Sequence, residues 1–375
     1  VRHTEAPAHA TGIIAIDLAT LAANWRALAA RVAPAECAAV VKADAYGLGA
    51  AKVVPALAAA GCRTFFVATF DEARQVRALA PDAALFVLDG LVGSGADYVK
   101  ARAVPVLSSL DAVTQWSAHA RAHGHRLAAA LQLETGLNRL GLEPSEIVAL
   151  REAPELLKTL DVKLVMSHLA CADDPQHPMN EAQRVAFDAA RRGVPNARAS
   201  LAASDGLMLG PAFHYDLVRP GYAIYGGQAF RGGPTPVLPV VRMSARILQV
   251  RDVLPGGSVG YSATWTAKSP RRIATIAAGY ADGLFRTGSA GDGETGGQAI
   301  VRGTRVPFVG RISMDLVTLD ITGVPGEPVG RGDWAELIGP GLAIEDVGRN
   351  ARTIGYEVLT SLSRRFHRVY AGGAG

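Results

Sequence analysis

The chain is poor in lysine, in cysteine and in long apolar runs, and each shortage excludes something. Six of its 38 basic residues are lysines, and the basic residues are scattered, without a basic stripe or interleaved aromatics. A nucleic-acid partner is therefore not expected, despite the formal net charge of +4. The cysteines Cys37, Cys62 and Cys171 are odd in number, lie far apart and form no CxxC pair. No metal or redox centre is expected from them; they read as incidental thiols of a reducing, cytoplasmic compartment. No apolar run reaches the ~18–20 residues of a membrane span, so no membrane association is expected. The opening VRHTEAPAHATG lacks the apolar core of a secretory signal, and the initial Val1 leaves N-terminal processing open.

What is present is ample apolar material. The 375 residues are 49% hydrophobic and 19% charged, enough for two globular domains or one large barrel with an appendage. From about Ile13 to Tyr225, short apolar runs alternate with Ala-rich helical stretches. AAVV (38–41), TFFVA (64–68), ALFVL (84–88), VPVL (104–107), LAAALQL (127–133) and VKLVMSHL (162–169) read as strands. AAKVVPALAAAG, DEARQVRALA and SLDAVTQWSAHARAHG read as helices, with Gly61 and Gly124 as stops. Uninterrupted apolar strands argue for a parallel sheet buried on both faces. Six or more such units favour a (β/α)8 barrel of TIM type over a Rossmann sheet, and no G-x-G-x-x-G follows the first strand. After about Pro236, strands broken by Gly and Pro predict a mostly antiparallel β domain. The class is thus α/β: a barrel over 1–236, whose first residues (about a dozen) could pack on the second domain, then a β domain over 237–375.

Several barrel strands end in a polar residue: Lys42, then Gln132 and Glu134, then His168, then Arg219. Strand C-termini form the active-site face of such a barrel, so these side chains would converge. Each alone could simply mark where a strand reaches water. Lys42 is the most informative, because lysine is rare here and the loop ADAYGLGA follows it. Partial desolvation would lower its pKa and make it a usable nucleophile or base.

The segment VKADAYGLG resembles the pyridoxal-phosphate lysine motif of the alanine racemases, a fold-type III family. The likeness continues through LETGLNRLG (133–141), MSHLA (166–170), LVRPGYAIYG (217–226), VGYSATW (259–265), GYADG (279–283), GRISMD (310–315) and GYEVL (355–359). Eight motifs in order span both domains. The resemblance implies a (β/α)8 barrel plus a β domain, a small amino-acid substrate, pyridoxal 5'-phosphate, and a head-to-tail homodimer with shared active sites. It implies that Lys42 holds the cofactor covalently. Tyr46, Ser204, Gly221, Tyr222 (through its backbone) and Tyr356 match phosphate-binding positions. Arg219 matches the arginine facing the pyridine nitrogen, His168 the histidine linking that arginine to a catalytic tyrosine, and Arg139 the arginine near the phenolic oxygen. Tyr261 matches the second base, contributed by the partner subunit. Tyr280 and Met314 match the substrate entrance, and Asp315 is expected to orient the Met314 strand.

An arginine at the pyridine nitrogen is a poor proton source, which favours reprotonation at Cα over transamination. Two acid–base groups on opposite faces of Cα suffice for racemisation. The implied reaction is interconversion of L- and D-alanine, supplying D-alanine for peptidoglycan. A racemase of broader or different specificity, for serine or basic amino acids, is the alternative. A decarboxylase is disfavoured by Arg219, and a single-barrel carrier of the cofactor by the second domain. The chain departs from the family at Gln132, where many relatives carry a carbamylated lysine; Gln132 is expected to hydrogen-bond Arg139 without adding charge. Glu134, Leu137, Ala203, Ser313 and Leu48 are further departures.

Overall fold

The computed structural model describes residues 6–372. Eight short parallel strands close into a barrel. The first is bent at Ala38, so that Glu36–Cys37 pairs with Leu217–Val218 while Ala39–Val40 pairs with Thr64–Val67. Thr64–Val67, Ala84–Val87, Val104–Leu107, Leu127–Gln132, Leu160–Met166 and Arg198–Ser200 follow in sequence order. Closure comes from the Asp216 amide donating to the Ala199 carbonyl at 3.1 Å, and the Arg219 amide to Ala202 at 2.9 Å. Thr64–Val67 and Val104–Leu107 are buried along their whole length, as strands with apolar material on both faces must be. The strand expected over 162–169 starts earlier and stops at Met166, which leaves Ser167 and His168 on the loop above the sheet.

The surrounding helices obey their local signals. Phe70–Leu79 begins at a Thr69–Glu72 capping box, and Leu110–His123 at Ser109, whose hydroxyl accepts the Ala112 amide at 3.2 Å. Gly61 and Gly124 end their helices in the left-handed conformation, which only glycine adopts without steric cost. Leu18–Val32 turns Leu21, Trp25, Leu28 and Val32 inward at a spacing of three to four residues.

The second unit is an eight-stranded, mostly antiparallel sheet built on the long strand Val241–Val253. Its Met243–Arg246 half pairs with Trp334–Ile338 and its Ile247–Val253 half with Arg271–Ile276, the latter pairing interrupted by an irregularity between Ile247 and Gln249. Gln298–Val301 and Thr304–Pro307 form a hairpin whose tip, Arg302–Gly303, has φ of 49° and 78°. Gly12–Asp17 belongs to this sheet rather than to the barrel. It lies between Val241–Val253, antiparallel, and His367–Ala371, parallel. The alternation that reads as a first barrel unit at Ile13 is therefore a strand of the other sheet. Among the described residues, no helix is long and apolar enough to cross a membrane.

Candidate active site

The C-terminal strand ends of the barrel gather the polar residues singled out above. Lys42 follows Ala39–Val40 after Val41 and opens a tight turn of unusual hand. Ala43, Asp44, Ala45 and Tyr46 all have φ between 54° and 56°. Ala45 donates to the Val41 carbonyl at 2.9 Å and Gly47 to Ala43 at 2.7 Å, so this is one hydrogen-bonded turn of left-handed helix. Such a conformation costs an L-residue roughly 1–2 kcal/mol. External contacts hold it in place. Glu72 accepts the Ala43 amide at 2.6 Å and the Ala68 amide at 2.8 Å. Tyr370 donates to the Leu48 carbonyl at 2.9 Å, Arg364 pairs with Asp44 at 3.2 Å, and Arg368 donates to the Gly47 carbonyl. A Cβ on Gly47 would lie 2.6 Å from the Leu359 carbonyl oxygen.

The turn aims Lys42 into a cationic neighbourhood. Burial, then the charge of Arg139, lowers the Lys42 pKa, against weaker opposition from Asp89 and Glu72. His168 is pushed down to about 3 by burial and by Arg219, Arg139 and Lys42, so its ring is neutral at physiological pH. Arg219 is 3% exposed, and burial lowers it to about 9, which leaves it a cation at neutral pH. Its guanidinium donates to the Ser200 hydroxyl, to the Ser167 carbonyl at 2.7 Å and to the Leu201 carbonyl at 3.4 Å.

Five residues form a cup beside these groups. Ser204 Oγ accepts the amides of Gly221 at 3.0 Å and Ala223 at 3.2 Å, which places the Tyr222 backbone between them. A Cβ on Gly221 would fall 2.3 Å from Tyr46 Oη, so only glycine permits this approach. The Tyr222 and Tyr356 rings stack at 3.8 Å, and Tyr46 lies 6.4 Å from Tyr356. Burial raises the pKa of Tyr46 and of Tyr356, so both stay hydroxyl donors at neutral pH. Hydroxyls and backbone amides suit a phosphate, because they donate to a dianion without bringing a competing base.

Two expected bonds are replaced. Gln132 Nε2 donates to the Leu140 carbonyl at 2.8 Å rather than pairing with Arg139, whose side chain is exposed. The loop after this strand folds back on it, with the Leu142 amide donating to the Gln132 carbonyl at 2.8 Å and the Glu134 amide to the Leu142 carbonyl at 3.0 Å, and this brings the Leu140 carbonyl to the Gln132 side chain. The Arg219–His168 contact expected of the linking histidine is likewise not a hydrogen bond among the described residues. Ser200, Ser167 and Leu201 take the guanidinium, and His168 senses it through charge alone.

Tyr261, Tyr280 and Met314 stand apart from this cluster, on the β domain. They are 68%, 43% and 53% exposed. The Tyr280 amide donates to the Ser313 carbonyl at 3.0 Å, and Arg311 donates to the Ser262 hydroxyl at 3.0 Å, which ties the three to one face. Met314 sits in a turn ahead of Val317–Asp320 rather than in a strand; Asp315 anchors that turn to Arg365 at 2.6 Å. A cavity of about 600 Å³ lined by His9, Asp44, Arg364 and Arg368 lies behind the left-handed turn, away from Lys42.

Ser200, Ser167, Glu72 and Asp205 contact these residues and were not singled out in the sequence; each touches the cluster through another residue, and only Ser167, beside His168, and Asp205, beside Ser204, had a positional cue.

The arrangement has close relatives. Residues 16–229 match the family model described as alanine racemase, N-terminal domain, and residues 240–370 the one described as alanine racemase, C-terminal domain. The chain belongs to the alanine racemase family. An alanine racemase of a Methylobacterium species is 50% identical over 95% of this chain and 97% of its own length. A Mesorhizobium japonicum relative, named a catabolic alanine racemase, is 44% identical over 98% of this chain and 95% of its own. Among solved members of the family, the alanine racemase of Bartonella henselae with covalently bound pyridoxal phosphate superposes with a TM-score of 0.91. It is 40% identical, covering 96% of this chain and 99% of that one.

Proposed function

We propose that this chain interconverts L- and D-alanine, moving the Cα proton between Lys42 on one face and the partner subunit's Tyr261 on the other. Family membership makes it an amino-acid racemase, an isomerase whose cofactor is pyridoxal 5'-phosphate. The observation that carries the assignment of residues is one convergence: a lysine of lowered pKa, a buried arginine and a cup of hydroxyl and amide donors at the mouth of one barrel.

Lys42 would hold the cofactor, and Tyr46, Ser204, Gly221, Tyr356 and the Tyr222 backbone its phosphate. Once bound, the cofactor supplies the electron-withdrawing group that acidifies the substrate Cα–H. Arg219, a fixed cation whose N–H groups are already oriented by Ser200 and Ser167, would meet the ring nitrogen. It would donate a hydrogen bond and keep its proton, which would disfavour transamination. Arg139 stands near enough to depress Lys42 and His168 and is free of Gln132, so it can turn to the phenolic oxygen or the substrate.

The amine of Lys42 is available as a base closer to neutral pH than an ordinary lysine's. Tyr261 reaches a substrate only from a second copy, with Tyr280 and the Met314 backbone lining the entrance. Its high exposure on the isolated chain fits that position. The assembly is a C2 homodimer with two equivalent shared sites. Three free thiols, two of them buried, support a cytoplasmic location. The biological role we favour is supply of D-alanine for peptidoglycan. Relatives from Mesorhizobium japonicum and Agrobacterium fabrum named catabolic, at 44% and 45% identity, support a second reading in which alanine is consumed for growth.

The test joins chemistry to specificity. The purified protein is expected to be yellow, and borohydride reduction to leave the pyridoxyl group on Lys42. In a racemisation panel, alanine is expected to exceed serine, lysine and arginine in kcat/KM. A pyridoxyl group on another lysine overturns the site, and a preference for another amino acid overturns the substrate.

A further inference from the structure

The phosphate cup contains one group that does not suit a phosphate. Asp205 follows Ser204, and its Oδ2 accepts the Tyr356 hydroxyl at 3.3 Å. A phenol has a single O–H. While Tyr356 donates to Asp205 it has no hydrogen left for a phosphate oxygen. An ionised Asp205 would also stand beside a dianion in a partly buried site, where like charges disfavour one another.

The surroundings do not neutralise it. Asp173, the other carboxylate acting on Asp205, is itself held by Arg231 at 2.9 Å. Glu345 is occupied by the Tyr222 hydroxyl at 2.9 Å. Tyr46 and Tyr222 feel the Asp205 charge, but their own pKa values are raised and they remain neutral at physiological pH. Among the described residues Asp205 therefore has one direct hydrogen-bond donor side chain, Tyr356, and that donor is one the cofactor also needs.

We propose that Asp205 is a proton-linked latch on the phosphate cup: loading a phosphate ester takes up one proton from solvent at Asp205 and turns the Tyr356 hydroxyl to the phosphate, and ionisation of Asp205 reverses both. The inference rests on the assignment of the cup to phosphate made above. Burial raises Asp205 to about 6, so its charge changes within reach of neutral pH, and a bound phosphate raises it further. Between the free and the loaded values, affinity must fall with rising pH by up to roughly tenfold per pH unit.

The experiment uses the cofactor-free dimer and pyridoxine 5'-phosphate, which has the phosphate but no aldehyde to react with Lys42. Affinity is measured by calorimetry from pH 6 to 8, in buffers of different ionisation enthalpy so that proton uptake is read directly. Parent, Asp205→Asn, Asp205→Ser and Ser204→Ala are compared. The ester's own second ionisation is common to all and cancels in the comparison. The parent is expected to take up more protons than Asp205→Asn and to lose affinity more steeply, until Asp205→Asn and Asp205→Ser bind about tenfold more tightly at pH 8. Equal slopes and equal proton uptake, with Ser204→Ala still weakening binding, overturn the latch and leave the cup intact. If Ser204→Ala also leaves affinity unchanged, the phosphate does not occupy the cup and both readings fall.

Discussion

Arg219 Nη2 donates to the carbonyl of Ser167 at 2.7 Å, and Ser167 lies two strands away around the barrel from the strand that carries Arg219. The guanidinium is thereby pinned along the barrel rim, with Ser200 from the strand between them as a second anchor. Its orientation is set before any ligand arrives.

Arg219→Glu should therefore cost far more than a charge. Racemisation is expected to fall by roughly 100-fold or more, as when a preorganised electrostatic partner is removed, with pyruvate from transamination appearing in its place. Ser200→Ala should give a smaller loss with the same drift toward pyruvate, and Ser200→Thr should restore the parent. Stopped-time assays of D-alanine and pyruvate decide the matter. Parental racemisation by Arg219→Glu with no pyruvate would remove the electronic role from this residue.

Lys42 is held where its charged form is disfavoured, and that should be visible in stability. Its folded-state pKa lies below the ordinary 10.5. The unfolded chain then binds more protons across that window, so the cofactor-free protein should gain stability as pH rises through it. Below the window the penalty is present in full. Lys42→Met should be more stable than the parent at pH 7 and should lack the rise toward pH 10.5. Thermal unfolding of both cofactor-free proteins across that range tests the sign; identical profiles would contradict it.

Carbon dioxide should have no effect on activity, since Gln132 has no amine to carbamylate. Degassed and bicarbonate-supplemented assays are expected to agree. Gln132→Ala should still weaken the protein by about 1 kcal/mol, because the buried Gln132 side chain and its hydrogen bond to the Leu140 carbonyl are lost. A bicarbonate dependence would assign carbamylation to another lysine.

Sharing of active sites can be counted. Lys42→Ala and Tyr261→Ala, each inactive, are mixed and allowed to exchange subunits. Random pairing makes about half the dimers mixed, and each mixed dimer has one site with both bases. Activity should return to about a quarter of the parental value per subunit. Proven exchange without recovery would place both bases in one chain.

Much of this arrangement was legible before the structure, for identifiable reasons. Strand ends such as Lys42 and Arg219 stand out because an apolar run stops abruptly at a charge, and Gly61 and Gly124 because helix ends favour glycine. The placement of Gly12–Asp17 was not legible. Its apolar alternation suits either sheet, and only pairing with residues more than two hundred positions away decides it. Gln132 bonds the Leu140 carbonyl instead of the expected Arg139 for a related reason. Side-chain bonds to backbone carbonyls, such as that of Leu140, leave no compositional trace. Asp205 was adjacent to a recognised serine, yet its contact with Tyr356 spans 151 positions.

The left-handed turn after Lys42 has a consequence for biosynthesis of the chain. Glu72 supports it from within the barrel, but Arg364, Arg368 and Tyr370 come from the last part of the sequence. A nascent barrel emerging first from the ribosome lacks those supports, and the turn then has only Glu72 and its own hydrogen bonds to set against the cost of four residues in an unfavourable conformation. The contacts around Lys42 are thus completed only by residues made last, and products truncated before Arg364 are expected to lack three of them.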